Sequence, residues 1–232
     1  MTDELREIAF DTETTGLEWD KDDRIIELGA VELINHVPTG KTFQTYINPG
    51  RPVSEATIRI TGITDDHLKD KPGFEDPSIV EAFLAFIGES TLVAHNAAFD
   101  RGFLNMELKR CDRAPILEDR WVDTVSMARK RYPGAPASLD ALCKRFDINS
   151  TARTFHGALL DSQLLSEVYL ELLGGRARAF DFGDQTSGET TDRQPAQTRS
   201  VRLASSLTDK EKTAHAAFTE TLGEDRLWKR YD

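Results

Sequence analysis

Five side chains in this sequence have types and spacings that could do chemistry. Asp11 and Glu13 lie two residues apart in an otherwise apolar stretch beginning at Ile8. On a strand, residues two apart point to the same face, so both carboxylates project together while Ile8, Phe10 and Thr12 point the other way. Two like charges beside a core are costly unless a cation sits between them. Asp100 and Asp161 fall within helical patterns. With Asp161 at zero on a wheel of about 100° per residue, Leu164, Leu165, Val168 and Leu172 all fall within about 60° of it. Phe103 and Leu104 bracket Asp100 in the same way. Both acids therefore face inward, where a charge must be paired or bind a metal. Hard oxygen ligands in this number suit Mg²⁺ or Mn²⁺ rather than zinc. Two such ions about 4 Å apart are a known device for in-line displacement at phosphorus. His156 precedes Asp161 in the loop ahead of its helix, next to Gly157. Its ordinary pKa near 6.5 suits it to take a proton from an attacking water.

The elements that must position these groups are readable in outline. Residues 6–14 form a first strand, 24–33 a second and 41–47 a third, closed by Asn48-Pro49-Gly50. Short turns between them predict an antiparallel meander. Residues 52–62 form a short helix or loop. A helix opens at Pro77-Ser78 and stops near Gly88. A buried strand over 91–96, a helix over 97–109, a short strand over 121–125 and a helix from Ser138 to Phe146 follow. Ser138 is the expected cap of that last helix. A long amphipathic helix spans 157–173 and ends at Gly174-Gly175. Strands in a meander and then alternating with helices predict an α/β protein with a mixed sheet covered by helices.

The composition sets further bounds. The chain has 232 residues and a net charge of −11. Residues 1–173 hold 19 basic and 30 acidic residues (19 − 30 = −11), and residues 174–232 hold 10 of each (10 − 10 = 0). So acidic a domain binds polyanions poorly without metal ions or a partner. No apolar run approaches the roughly 20 residues of a membrane span, and the N-terminus lacks signal-peptide character. A cytoplasmic protein is expected, without membrane association and with Cys111 and Cys143 reduced. Residues 1–173 read as one domain. Residues 174–206, rich in Gly, Ser, Thr and Gln, read as a flexible linker. In 207–232, Thr208 can cap a helix, and Leu227, Trp228 and Tyr231 suggest a segment that docks on a partner.

Three blocks then stand out: Phe10-Asp-Thr-Glu-Thr-Thr-Gly16, Ala94-His-Asn-Ala-Ala-Phe-Asp100 and His156-Gly-Ala-Leu-Leu-Asp161. In order and spacing they resemble the DEDDh branch of the DnaQ-like 3′→5′ exonucleases. The stretches Ile25-Ile-Glu-Leu-Gly-Ala30, Ile60-Thr-Gly-Ile-Thr64 and Ser138-Leu-Asp-Ala-Leu-Cys143 extend the likeness to the proofreading members, subunits of bacterial replicative DNA polymerases. The resemblance covers 6–173 and, more loosely, 207–230. It implies a ribonuclease H-like fold and two ions, Mg²⁺ or Mn²⁺. Asp11, Glu13 and Asp161 would hold the first, with Asp11 bridging to the second and Asp100 supporting that one. His156 would be the general base. Asp11, Glu13, Thr14, Thr61 and Asp161 would contact a single-stranded DNA 3′ end, although the family often has His where this chain has Thr61. The polymerase catalytic (alpha) subunit would bind the C-terminal segment. The sliding clamp would bind Arg176-Ala-Arg-Ala-Phe-Asp-Phe182, which lacks the usual leading Gln. Two alternatives remain: an RNA or oligoribonucleotide exonuclease of the same family, which the long C-terminal appendage argues against, and a non-catalytic polymerase adaptor, which the intact acid set argues against.

Overall fold

The structure, a computed structural model, describes residues 4–151, 155–175 and 208–221. It divides into two compact units, 1–184 and 185–232. Residues 176–182 and the Leu227, Trp228 and Tyr231 cluster, on which the clamp and docking expectations rest, lie outside the described residues.

The first unit is built on a five-stranded sheet in the order β3-β2-β1-β4-β5. Strands β1 (Arg6–Thr14), β2 (Ile25–Ile34) and β3 (Val37–Tyr46) form the antiparallel meander. Strands β4 (Thr91–Ala94) and β5 (Trp121–Asp123) run parallel to β1. The helices in this unit are α1 (Glu55–Thr61), α2 (Asp65–Leu68), α3 (Pro77–Ile87), α4 (Ala97–Arg110), α5 (Thr124–Arg131), α6 (Leu139–Phe146) and α7 (Ala158–Leu172). Its mixed direction and helical covering are those of the ribonuclease H-like architecture. In the second unit, α8 (Asp209–Thr221) starts as expected at Thr208. The Thr208 hydroxyl accepts the Glu211 amide, and the Glu211 carboxylate accepts the Thr208 amide, a reciprocal capping box.

The period-two pattern of β1 divides the core into two layers. Ile8 and Phe10 face α3 and α4 in a layer with Phe83, Phe103 and Leu104. Ala9 faces the other way, with Val31, Leu142, Leu165 and Val168. That second layer belongs to α6 and α7, so the odd-numbered face of β1 also carries Asp11 and Glu13 toward α7. The expected strand over 121–125 stops at Asp123, and a helix begins at Thr124. Branched Thr124 and Val125 favour a strand by propensity. The Asp123 carboxylate overrides this by accepting the amides of Val125 and Ser126 and the Ser126 hydroxyl, which satisfies the first turn of α5. The third strand begins at Val37 rather than Lys41, because pairing with β2 at Leu33 and Ile34 extends it backwards.

Candidate active site

The site lies at the carboxyl ends of β1, β4 and β5, where loops leave the sheet and ligands of α/β proteins bind. β1 delivers Asp11 and Glu13, both half-buried. A register irregularity between Glu13 and Thr14 follows at once, turning the chain toward Thr15 and Gly16.

α7 brings Asp161 to the same place, and its seat on the sheet is specific. A Cβ at Gly29 of β2 would lie 2.0 Å from the Ala158 carbonyl carbon, so only glycine lets the start of α7 rest on the strand backbone. The Ser162 hydroxyl donates to the Gly29 carbonyl at 2.9 Å. The Ala158 amide donates to Glu27 Oε2 at 3.1 Å, so a carboxylate from β2 caps the helix from across the sheet. Asp161 is then 4% exposed, as its place on the apolar stripe predicts.

The ligand atoms of Glu13, His156 and Asp161 all lie within 4.8 Å of one another. His156 Nδ1 is 3.4 Å from Asp161 Oδ2. The His156 loop is tied to the end of α1, because the His156 amide donates to the Ile60 carbonyl at 3.0 Å and the Phe155 ring packs beside Gly62. Asp11, Glu13, His156 and Asp161 line one open cavity of about 650 Å³. Elsewhere, buried carboxylates meet cations or neutral donors: Glu32 meets Arg6, Glu107 meets Arg24, and Glu7 meets His36 and the Tyr169 hydroxyl. At the site, Glu13 and Asp161 converge with the His156 imidazole. The carboxylate oxygens of Glu13 and Asp161, on separate elements and this close, fit a hard divalent cation, with the His156 imidazole beside them.

Asp100 is placed differently. It is 2% exposed and accepts the Thr12 hydroxyl at 2.8 Å, behind the cavity wall rather than on it. Burial pushes its carboxyl up to about 7, against the Thr12 hydrogen bond. Thr14 and Thr61 line a second cavity of about 260 Å³ with Leu17, Ile60 and Phe99, and this cavity also touches Thr12 and Glu13. The Thr61 hydroxyl is engaged within its own helix, donating to the Thr57 carbonyl and accepting the Ile63 amide. It therefore offers the cavity a wall rather than a free hydrogen-bonding group.

Glu27 was not singled out by the sequence, although a charge inside Ile25-Ile26-Glu27-Leu28 is a signal in retrospect. It pairs with Glu13 in the β1–β2 register and is 1% exposed. Burial, opposed by the Gln44 amide and the Ala158 amide, leaves its carboxyl above the usual range. Asp123 and His95 also line the larger cavity. Burial works against the charge of Asp123, yet donors from Ser126, Val125, Ala97 and Asn96 hold it below the usual range. His95 Nδ1 lies 2.9 Å from the Thr124 hydroxyl. These bonds fit a structural role for both.

The sequence profile of the Exonuclease family matches residues 8–169. DNA polymerase III subunit epsilon of Rickettsia felis is 45% identical over 94% of this chain and 97% of its own length. The subunit of the same name from Escherichia coli is 41% identical over 97% of each chain. The chain belongs to the exonuclease family, among the DNA polymerase III epsilon subunits. The exonuclease also resembles solved structures. Exonuclease X in complex with 5′ overhanging duplex DNA is 29% identical, with a TM-score of 0.56 over 75% of this chain and 93% of that one. The nuclease domain of 3′hExo, a DEDDh family member bound to rAMP, shares the fold at 20% identity and a TM-score of 0.62, over 75% and 94%. The family resemblance seen in the three motif blocks is thereby borne out, and the exonuclease is a metal-dependent 3′→5′ enzyme.

Proposed function

We infer that this exonuclease is the proofreading subunit of a bacterial replicative DNA polymerase, removing the 3′-terminal nucleotide of a frayed DNA strand as a nucleoside 5′-monophosphate. The observation that carries the reading is the convergence of Glu13, His156 and Asp161 within 4.8 Å in an open cleft beside Asp11. Asp11, Glu13 and Asp161 would hold the first of two Mg²⁺ or Mn²⁺ ions. Asp11 and Asp100 are assigned to the second, Asp100 on the strength of its motif position. Bound ions supply Lewis-acid stabilisation at phosphorus.

The protein's own residues do the rest. His156, on the solvent side of Asp161, accepts the proton of the attacking water, and Asp161 Oδ2 stabilises the resulting imidazolium. The water oxygen bonds to phosphorus, the P–O3′ bond breaks, and the penultimate nucleotide leaves through its O3′ oxyanion, which takes a proton from solvent to become the 3′-hydroxyl. Thr14, Thr61 and Leu17 enclose the terminal nucleotide in the smaller cavity. Its apolar wall reads no base edge, as a proofreader that removes any mispaired nucleotide requires.

The domain's acidity and the 10:10 balance of charged residues after 173 support a tethered enzyme. We assign residues 1–173 to the nuclease, 174–206 to a linker and 207–232 to docking on the polymerase catalytic (alpha) subunit. The segment 176–182 is assigned to the sliding clamp through its two Phe residues. No described helix is long and apolar enough to cross a membrane, and we place the enzyme with the chromosome, in the cytoplasm. The test is a 3′-mismatched DNA primer incubated with protein and Mg²⁺, beside an RNA of equal sequence. Monophosphates released from the DNA, and lost in Asp11→Ala, are the expected result. Intact DNA with trimmed RNA would instead favour the oligoribonucleotide reading.

A further inference from the structure

We propose that Arg129 is the contact for a phosphate upstream of the scissile bond, and that it sets the enzyme's preference for strands over shorter esters. The inference rests on the exonuclease reading of the cleft. The two cavities have only Thr12 and Glu13 in common. A strand whose last nucleotide fills the smaller cavity must therefore pass Glu13 and continue into the larger one. The larger cavity is two and a half times the volume of the smaller (650 against 260 Å³), so it has room beyond the reacting phosphate. Its wall includes Arg129, its one lining Arg or Lys among the described residues.

Arg129 lies in the last turn of α5, whose end carries Arg129, Lys130 and Arg131 in succession. The three are not equivalent. Arg131 donates to the Leu172 carbonyl at 2.6 Å and lies over the Tyr132 ring, which it shares with Arg145. These two cations serve the packing of α5, α6 and α7. Arg129 is exposed, turns to the cavity and forms no ion pair among the described residues. Besides the candidate metal ligands Asp11, Glu13 and Asp161, two further acids line the same cavity. Asp123 is held by the donors that cap α5, and Asp140 sits in the first turn of α6, where the helix start stabilises its charge. In a domain of net charge −11, one guanidinium on the strand's exit is well suited to grip a phosphate with two parallel hydrogen bonds.

The test compares wild type, Arg129→Ala and Arg129→Lys on a ten-nucleotide single-stranded DNA and on the nitrophenyl ester of thymidine 5′-monophosphate, which has no upstream phosphate. For Arg129→Ala, KM on the oligonucleotide should rise roughly tenfold with kcat nearly unchanged, as for loss of one charge-assisted contact at an open position. The slope of log(kcat/KM) against log salt should become shallower by about 0.7, the value of one phosphate contact on a single strand. Arg129→Lys should keep the slope and recover part of KM, and the ester should be cleaved at the wild-type rate. An unchanged KM and salt slope on the oligonucleotide overturns the proposal. So does an equal loss on the ester, because Arg129 would then act on the reacting centre or the fold. Wild type that cleaves the ester but leaves the oligonucleotide intact overturns the exonuclease reading itself, a result distinguishable from both.

Discussion

In the proposed mechanism His156 is the proton acceptor, and it is the most exposed of the candidate site residues. Its side chain is 46% exposed, against 5% for Asp161 beside it. That exposure suits a base that must hand its proton on to solvent after each turnover. Replacing His156 with Ala should lower kcat by about 10²–10⁴, the usual worth of a positioned general base. Steady-state kinetics on single-stranded DNA would check this. A comparable rise in KM with kcat retained would make His156 a binding group. The acids were legible in the sequence because each breaks a periodicity: Asp11 and Glu13 alternate on an apolar strand, and Asp161 interrupts an apolar helical stripe. Glu27 was not legible, because its meaning depends on cross-strand pairing with Glu13 and on the end of a helix more than a hundred residues later. Thr61 shows the reverse limit. The family resemblance implies a substrate contact there, but its hydroxyl completes the turn after α1.

At the scale of elements, the site depends on how α7 meets β2. The helical wheel identified which face of α7 is buried but not the surface it rests on. A glycine within a strand carries no periodic signal, so Gly29 passed as one more residue of β2. In space it is the contact point, with the Ala158 backbone where a side chain would be. Gly29→Ala must therefore push α7 off the sheet, at a cost of about 1–3 kcal/mol as in other overpacked cores. The same displacement moves Asp161 away from Glu13 and loosens the Glu27 cap. Thermal unfolding should show the loss of stability. At a temperature where the variant is still folded, its activity should need more divalent ion than the wild type. A variant that is destabilised but has an unchanged metal requirement would mean that α7 can shift without carrying Asp161 out of place. The α5 boundary was missed for a related reason, since the Asp123 cap is recognisable only once the strand is known to stop there.

At the scale of the whole molecule, the uneven distribution of charge has to be reconciled with a polyanionic substrate. An acidic catalytic domain gains little from diffusing to DNA by itself, because non-specific affinity comes from neutralised phosphates. Tethering answers this: a partner that already holds the primer raises the local concentration of frayed 3′ ends, and the weak intrinsic affinity then limits degradation of correctly paired strands. The match to the Rickettsia subunit extends over 94% of the chain and so runs well beyond the nuclease domain. Removing residues 207–232 should therefore separate the two properties. The truncated protein should cleave the nitrophenyl ester and short single-stranded DNA at wild-type rates, because every residue assigned to the cleft lies before 174. It should fail to co-elute with the polymerase catalytic subunit in size-exclusion chromatography, and with that subunit present it should no longer correct a mismatched primer faster than it does alone. Continued co-elution would move the docking surface into the nuclease domain. Proofreading would then depend on a rigid contact between nuclease and polymerase, and linker length between 174 and 206 should have no effect on its rate.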